Sequence, residues 1–306
     1  MERCKICGCE NTSVIYRGPI KTGLLDGYTV KDYDVFQCGQ CGTIWNNAIK
    51  DESVEFYESE EYRKRVDGDS KLSTCHEKHD GQVLDKLEMT GTDIFRDKVV
   101  ADIGCGGGSF LDFVSGVAKK VLAVEPSQAF RKQLSEKGYA VYAYASDIVD
   151  MQGGVHIVTS FDVIEHVEDP YQFVAEMYDL LQDGGKCIVG TPTDYAVLRK
   201  LLGKMFDKFI FQVQHPWVFS QEALRILFEK AGFKNITITT KQKYGLGNLL
   251  AWLHEEKPRG DIKYPFITET LDATYRKEMG RLGGEYLVVK AEKIASVLNT
   301  FSTSML

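Results

Sequence analysis

The chain of 306 residues has no apolar run approaching the roughly 18 residues of a membrane-spanning helix. Its longest, around Val99–Ile103 and Ile157–Val163, are strand-sized. The first residues, Met1-Glu2-Arg3-Cys4, lack the apolar segment of a signal peptide, so a cytoplasmic location without membrane partners is expected. An excess of positive charge is also missing. With 37 basic against 44 acidic residues, a net charge of −7, composition supplies no uniform basic surface for nucleic acid, and none is favoured as a partner. Internal repeats and low-complexity tracts are absent, and 43% hydrophobic with 26% charged residues excludes both wholesale disorder and a coiled coil.

What is present divides unevenly. At roughly 150 residues per domain the length allows about two domains. Five of the eight cysteines fall in the first fifty residues, a segment too small for a self-sufficient core and so in need of a staple. In a chain with no export signal these cysteines point to metal ligands rather than disulfides. Cys4-Lys5-Ile6-Cys7-Gly8 and Cys38-Gly39-Gln40-Cys41-Gly42 are two CxxC-Gly knuckles. Each offers two thiolates from one tight turn, and together they complete a tetrahedral Zn²⁺ site. The 30 residues between Cys7 and Cys38 exceed the usual spacing, but the extra loop costs only about 0.5 kcal/mol. A structural zinc contributes about 10 kcal/mol or more. Four protein thiolates leave no open position, so the expected role is structural, with Cys9 a spare candidate. The expected division is a zinc ribbon over 1–50, a linker or helix over 51–80, and a second domain over 81–306.

From about residue 81 helical and strand patterns alternate, which predicts a parallel sheet with crossover helices, an α/β fold. Strands are expected at Val99–Ile103, Val121–Val124, Ala140–Tyr144, Val155–Thr159 and Lys186–Gly190. Helices are expected near 79–90, 108–117, 127–137 and 170–182, and after Ser220. Two late strands, Ile236–Lys241 and Tyr286–Ala291, are separated by 44 residues. The strand Val99–Ile103 enters Gly104-Cys105-Gly106-Gly107-Gly108 and then a helix, so a nucleotide-like ligand is expected on the exposed backbone at the sheet's carboxyl edge. The dinucleotide pattern G-x-G-x-x-G fails in both registers, because Ser109 and Leu111 stand at the third position. Asp102, before the turn, suits a ligand carrying cationic groups better than a pyrophosphate.

Asp102-Ile-Gly-Cys-Gly-Gly-Gly108 resembles the first motif of class I S-adenosylmethionine (SAM) methyltransferases, a Rossmann-like α/β fold. Phe161-Asp-Val-Ile-Glu165-His166-Val-Glu-Asp-Pro170 is similar to the fourth-strand motif of the subgroup related to ubiquinone-biosynthesis methyltransferases. Leu180–Gly185, Thr191-Pro-Thr193 and His215-Pro-Trp217-Val-Phe219-Ser220 extend the likeness over about residues 80–240. The resemblance implies a SAM site built from Asp102, Gly104, Cys105, Gly106, Gly108, Glu125, Pro126, Ser127, Asp147 and Phe161. In it Asp102 lies near the methionine portion, Glu125 grips the ribose diol and Asp147 lies near the adenine. A zinc ribbon ahead of Tyr57-Glu-Ser-Glu-Glu-Tyr62-Arg63 resembles zinc-bearing methyltransferases of sugar and natural-product pathways, which implies that Tyr57, Tyr62 and Arg63 cross the cofactor mouth. The best-known of those relatives, deoxysugar C-methyltransferases, carry a further C-terminal α/β domain that is not expected in a sequence stopping near 306; this points away from C-methylation of a keto-sugar and toward O- or N-transfer, with the choice undecided.

Methyl transfer from a sulfonium is an in-line displacement that needs an aligned acceptor and a group to take its proton. His166, just beyond the fourth strand, is the candidate base, with Glu165 beside it and His215 as a second acid, base or substrate contact. Capping or loop packing is the alternative for each histidine. Trp217 and Phe219 are expected to wall the acceptor. His76 and His79 beside Cys75 are read as polar helix surface rather than a metal site. The apolar residues of the 243–285 insertion, including Trp252, Tyr264 and Phe266, must pack on the core, cover an acceptor or meet another chain. The expected activity is methyl transfer from SAM to a small-molecule acceptor: a sugar, nucleotide-sugar or natural-product intermediate. Methylation of RNA or protein presented by the ribbon is one alternative, and a non-catalytic SAM-binding module the other. Oligomeric state is left open.

Overall fold

The N-terminal segment forms three antiparallel strands, β1 (Thr12–Gly18), β2 (Tyr33–Cys38) and β3 (Ile44–Asn46). The computed structural model describes residues 2–23, 27–48, 58–59, 64, 71–193 and 196–295. Most of the expected linker, with Tyr57, Tyr62 and Arg63, lies outside the described residues. Helices α1 (Leu72–His79) and α2 (Val83–Thr90) lead into β4 (Val99–Ile103), all five of whose residues are buried. There follow α3 (Ser109–Val114), β5 (Lys120–Val124), α4 (Gln128–Glu136), β6 (Ala140–Tyr142) and β7 (Val155–Phe161).

The next helix, α5 (Pro170–Leu180), begins where its sequence says it should. Asp169 accepts hydrogen bonds from the Tyr171 and Gln172 N–H groups, at 2.9 and 3.0 Å, and Pro170 takes the first turn, where no N–H is needed. Val174, Met177 and Leu180 form its buried face. After β8 (Leu181–Pro192) come two short helices that the periodic reading did not mark, α6 (Ala196–Leu202) and α7 (Lys204–Ile210). Their signal was present: Leu198, Leu202, Phe206 and Ile210 recur every fourth residue, and all are buried. Strand β9 (Trp217–Val218) precedes α8 (Gln221–Lys230), capped by Ser220 Oγ, which accepts from the Ala223 N–H at 3.0 Å. Strand β10 (Lys234–Lys241), helices α9 (Leu246–Glu255) and α10 (Glu269–Arg281) and strand β11 (Tyr286–Glu292) complete the described order.

Seven strands form the central sheet in the order β10-β11-β8-β7-β4-β5-β6, and only β11 runs antiparallel to the other six. The chain winds outward from β4 through β5 to β6, then returns to lay β7 and β8 on the other side. The switch point therefore lies between β4 and β7, where ligands of doubly wound sheets bind. This is the Rossmann-like α/β arrangement expected for the class.

The N-terminal sheet does not stand apart. Strand β9 adds to it as a fourth strand beside β3, pairing Trp45 with Trp217 and Ile44 with Val218. Cys4, Ile6, Cys38, Cys41 and Trp45 belong to the same buried cluster as Phe219, Leu224 and Leu227. A second shared cluster joins Val35 and Ile44 to α6, α7 and Trp252 of α9. Among the described residues no helix is long and apolar enough to cross a membrane.

Candidate active site and metal centre

The glycine loop needs its glycines for steric reasons. Gly104 has φ +74°, and a Cβ there would lie 2.3 Å from Val163 Cγ2. Gly108 has φ +83°, and its Cβ would meet Leu134 Cδ2 at 2.7 Å. A side chain at either position would be strained in backbone and clash with the core. The loop is braced from below by Glu125, which is fully buried and accepts from the Gly106 N–H at 2.9 Å and the Ser127 N–H at 2.8 Å. A ribose diol would meet this carboxylate only after it turned outward, so its partners here are backbone groups. His76 Nε2 lies 2.9 Å from the Gly107 carbonyl, joining α1 to the loop. That histidine is an anchor, not plain helix surface.

Asp102 is likewise interior, 4% exposed, and accepts from Thr159 Oγ1 at 2.6 Å. Burial pushes its carboxyl up to about 6, against the opposing pull of Lys86. Asp147 is exposed and caps its own turn by accepting from the Tyr144 N–H. Ser127 is fully buried at the start of α4, and Pro126 is half-buried beside it.

A cavity of about 820 Å³ opens at the loop. Gly104, Cys105, Gly106, Ser109 and Phe161 line it, as do Glu165, His166 and His215. Asp102, Gly108, Glu125, Pro126, Ser127 and Asp147 are not on its wall. The three candidate catalytic side chains, from two distant segments, do meet: one ligand-capable atom of each lies within 4.8 Å of the others. The His166 and His215 rings stand edge to face with centroids 4.5 Å apart. Glu165 is 1% exposed, and its Oε2 accepts from Thr191 Oγ1 at 2.9 Å. Burial, reinforced by Asp162, pushes its carboxyl up to about 8. Burial, with His166 adding to it, holds His215 well below the ordinary imidazole range. Asp162, at the sharp exit from β7, has φ +58°, a cost for a non-glycine residue that marks a constrained position.

Sequence reasoning missed the far wall. Lys243 lies 3.8 Å from Asp162 and 4.4 Å over the Tyr286 ring. Burial opposes its charge, but Asp162 and neighbouring carboxylates win and raise its pKa. Glu285, pushed up to about 7 by burial, accepts from the Tyr244 N–H. These residues flank the insertion, and no local pattern announced that β10 and β11 would bring them to Asp162. The insertion itself does two things. Trp252 stacks on Phe206 and meets Phe209 edge-on, and it lines the cavity with Asn248, Pro258 and Arg259. Trp217 and Phe219 do not wall the cavity. They stack on each other in the core, with Trp217 Nε1 donating to the Val167 carbonyl at 2.9 Å. The β9 pairing takes them there.

In the N-terminal knuckles Cys4, Cys7, Cys38 and Cys41 bring four sulfurs within 4.8 Å of one another. Cys4–Cys41 and Cys7–Cys38 Sγ separations are 3.7 and 3.5 Å. A tetrahedron with Zn–S bonds of about 2.3 Å has edges of about 3.8 Å, so the donor set fits a zinc ion. Cys9 is outside the cluster and accepts from the Asn11 N–H at 3.3 Å. The knuckles touch the catalytic half directly: Ser220 Oγ donates to the Cys41 carbonyl, and Lys230 Nζ donates to the Ile6 carbonyl at 2.5 Å.

Comparison with known proteins agrees with this architecture. A probable S-adenosylmethionine-dependent methyltransferase of Mycolicibacterium smegmatis is 30% identical over 96 residues, 30% of this chain and 37% of that protein. A tRNA U34 carboxymethyltransferase of Alteromonas mediterranea is 29% identical over 189 residues, 56% of each. The match thus spans between about a third and just over half of these relatives. A SAM-dependent methyltransferase structure from Archaeoglobus fulgidus superposes with a TM-score of 0.49 at 16% identity, covering 72% of this chain and 98% of that one. Residues 76–238, just over half of the sequence, match the family described as Methyltransferase domain. The chain therefore belongs to the methyltransferase domain family.

Proposed function

We propose that the protein transfers the methyl group of SAM to a small, polar acceptor such as a sugar, nucleotide-sugar or natural-product intermediate. One observation carries the acceptor class. Among residues lining the cavity at the glycine loop, Ser109 Oγ, Glu165 Oε1, Gln214 Nε2, Trp252 Nε1 and Glu285 Oε2 are buried with no hydrogen-bond partner among the described residues. Each such atom costs about 1–3 kcal/mol until something meets it. An acceptor with several hydroxyl groups would meet donors and acceptors on both sides of the cavity.

In this proposal the loop of Gly104, Cys105, Gly106 and Gly108 cradles the cofactor, with Phe161 beside it. Asp102 and Glu125, buried off the cavity wall, would turn to its cationic methionine portion and its ribose diol as it binds, with Pro126, Ser127 and Asp147 near them in sequence or fold. Bound SAM supplies an electrophilic methyl on a sulfonium. The acceptor's nucleophilic atom is held beside Glu165, His166 and His215, and His166 takes its proton as the methyl–acceptor bond forms and the carbon–sulfur pair returns to sulfur. Enclosure by Trp252 and Asn248 excludes water. A structural zinc on the four thiolates is proposed to hold the ribbon whose sheet carries β9 and, next to it, His215.

A second acceptor class, RNA, is favoured by the Alteromonas relative, whose name specifies a tRNA. The net charge of −7 and the unpartnered polar side chains among the cavity's lining residues support the small acceptor instead. Calorimetric titration with S-adenosylhomocysteine (SAH) and with NAD, followed by transfer from methyl-labelled SAM to nucleotide-sugars or bulk tRNA, tests this. SAH binding with label in the small-molecule fraction is expected. Label confined to RNA overturns the acceptor class, SAH binding without turnover on any acceptor favours a binding module, and absent SAH binding overturns the whole proposal.

A further inference from the structure

We infer that Glu165, His166 and His215 form a second metal site, for one divalent first-row transition ion, on the acceptor side of the cavity. The ion's role, though not its binding, rests on the methyl-transfer proposal above. The donor set is one carboxylate and two imidazoles, converging within 4.8 Å from the exit of β7 and the loop before β9. Ligand atoms about 2.0–2.2 Å from an ion lie about 3–3.5 Å apart, a closing distance that side-chain rotation supplies.

Glu165 lines the cavity; its Oε1 is buried with no hydrogen-bond partner among the described residues, while Thr191 fixes its other oxygen. The Gln212 side-chain amide sits 2.7 Å from His215 Nδ1. With its carbonyl turned to the ring it would accept the Nδ1–H and leave Nε2 as the ligand, the outer-shell arrangement usual for metal-bound histidine. Of the two neighbouring carboxylates Lys243 lies against Asp162, at 3.8 Å. A cation between Glu165 and the imidazoles would answer the other.

Two imidazoles favour zinc or iron over magnesium or calcium, and the carboxylate admits manganese at lower affinity. Three protein ligands also leave positions open toward the cavity, which an oxygen of the acceptor would fill. The acceptor class narrows accordingly to oxygen nucleophiles; with the ion bound His166 is a ligand, and the proton of the ion-bound hydroxyl, made more acidic by the ion, passes instead to a carboxylate of the same cavity such as Asp162. The ribbon's four thiolates form a separate, closed site.

The test uses full-length protein retaining its ribbon metal, with Mn²⁺ as the probe because it disfavours thiolate ligands. Electron paramagnetic resonance titration is expected to show one Mn²⁺ per chain. Glu165→Gln, His215→Ala and the milder His215→Gln should each weaken it at least tenfold, with thermal melting and SAH affinity retained. Absence of Mn²⁺ binding at millimolar free ion in wild-type protein overturns the site. So does binding unchanged in folded His215→Gln and His215→Ala. Full turnover by protein carrying only its ribbon metal refutes the ion's role while methyl transfer stands. Mn²⁺ binding without SAH binding would instead leave the ion site in place and sink the methyl-transfer proposal.

Discussion

Replacing Asp102 by asparagine tests the electrostatics of the cofactor floor in both directions. The side chain is interior and shares a hydrogen bond with Thr159 Oγ1 that an amide oxygen also accepts, so Asp102→Asn removes charge while keeping shape. Burial lifts the carboxyl from 3.8 to about 6, a gap equivalent to about 3 kcal/mol of preference for the neutral form. Because the folded pKa lies above the unfolded one, the folded state binds the proton more tightly. Stability therefore falls as pH rises from about 4 to about 6, and the full cost persists above that. Without cofactor at pH 7.5, Asp102→Asn should be more stable by up to about 3 kcal/mol, several degrees in Tm. The gain should vanish as pH falls toward 4. Cofactor binding should show the opposite sign. If the carboxylate meets the cationic methionine portion, SAH affinity of the wild type falls below pH 6 by up to about tenfold per pH unit. Asp102→Asn should bind about 10- to 100-fold more weakly, as for a hydrogen bond to a charged group, and with a flatter profile. Melting curves and calorimetry across pH 4.5–8 measure both. A variant with wild-type Tm at every pH and wild-type SAH affinity would refute the assignment of Asp102 to the cofactor and the cost of its burial together.

Glu125→Ala leaves the Gly106 and Ser127 N–H groups without their carboxylate and should cost about 2–4 kcal/mol of stability as well as weakening SAH; an unchanged Tm on thermal denaturation would show that the brace is dispensable. Freshly purified, reduced protein should contain one zinc per chain by elemental analysis. Its removal should melt more than the ribbon, because about 10 kcal/mol of metal binding approaches the whole stability of a domain and the knuckles share a core with α8. Well under one metal per chain counts against this. Asn248→Ala and Arg259→Ala should raise the acceptor's Michaelis constant at least tenfold with SAH affinity held, measured by initial rates and calorimetry; unchanged constants would make the insertion packing alone.

Much here is local and was readable along the chain. The CxxC-Gly knuckles carry ligand type, spacing and turn chemistry within five residues each. Val99–Ile103 followed by glycines announces a strand, a positive-φ turn and a helix start, because each property belongs to the residue that bears it. Asp169-Pro170 and Ser220 set helix starts for the same reason. Only the tertiary structure decided which distant groups meet. Trp217 looked like an acceptor wall until β9 paired with β3 and drew it into the core. The direction of Glu125 depended on which N–H groups stood within 3 Å, namely Gly106 and Ser127. Lys243 and Glu285 became cavity residues only because β10 and β11 pair across the insertion. The sequence by itself determined the fold class, the glycine turn after β4 and the thiolate set, since periodicity and turn preference act between near neighbours. The convergence of Glu165, His166 and His215, and the polarity of the cavity around them, was decided by packing between segments that no local rule connects.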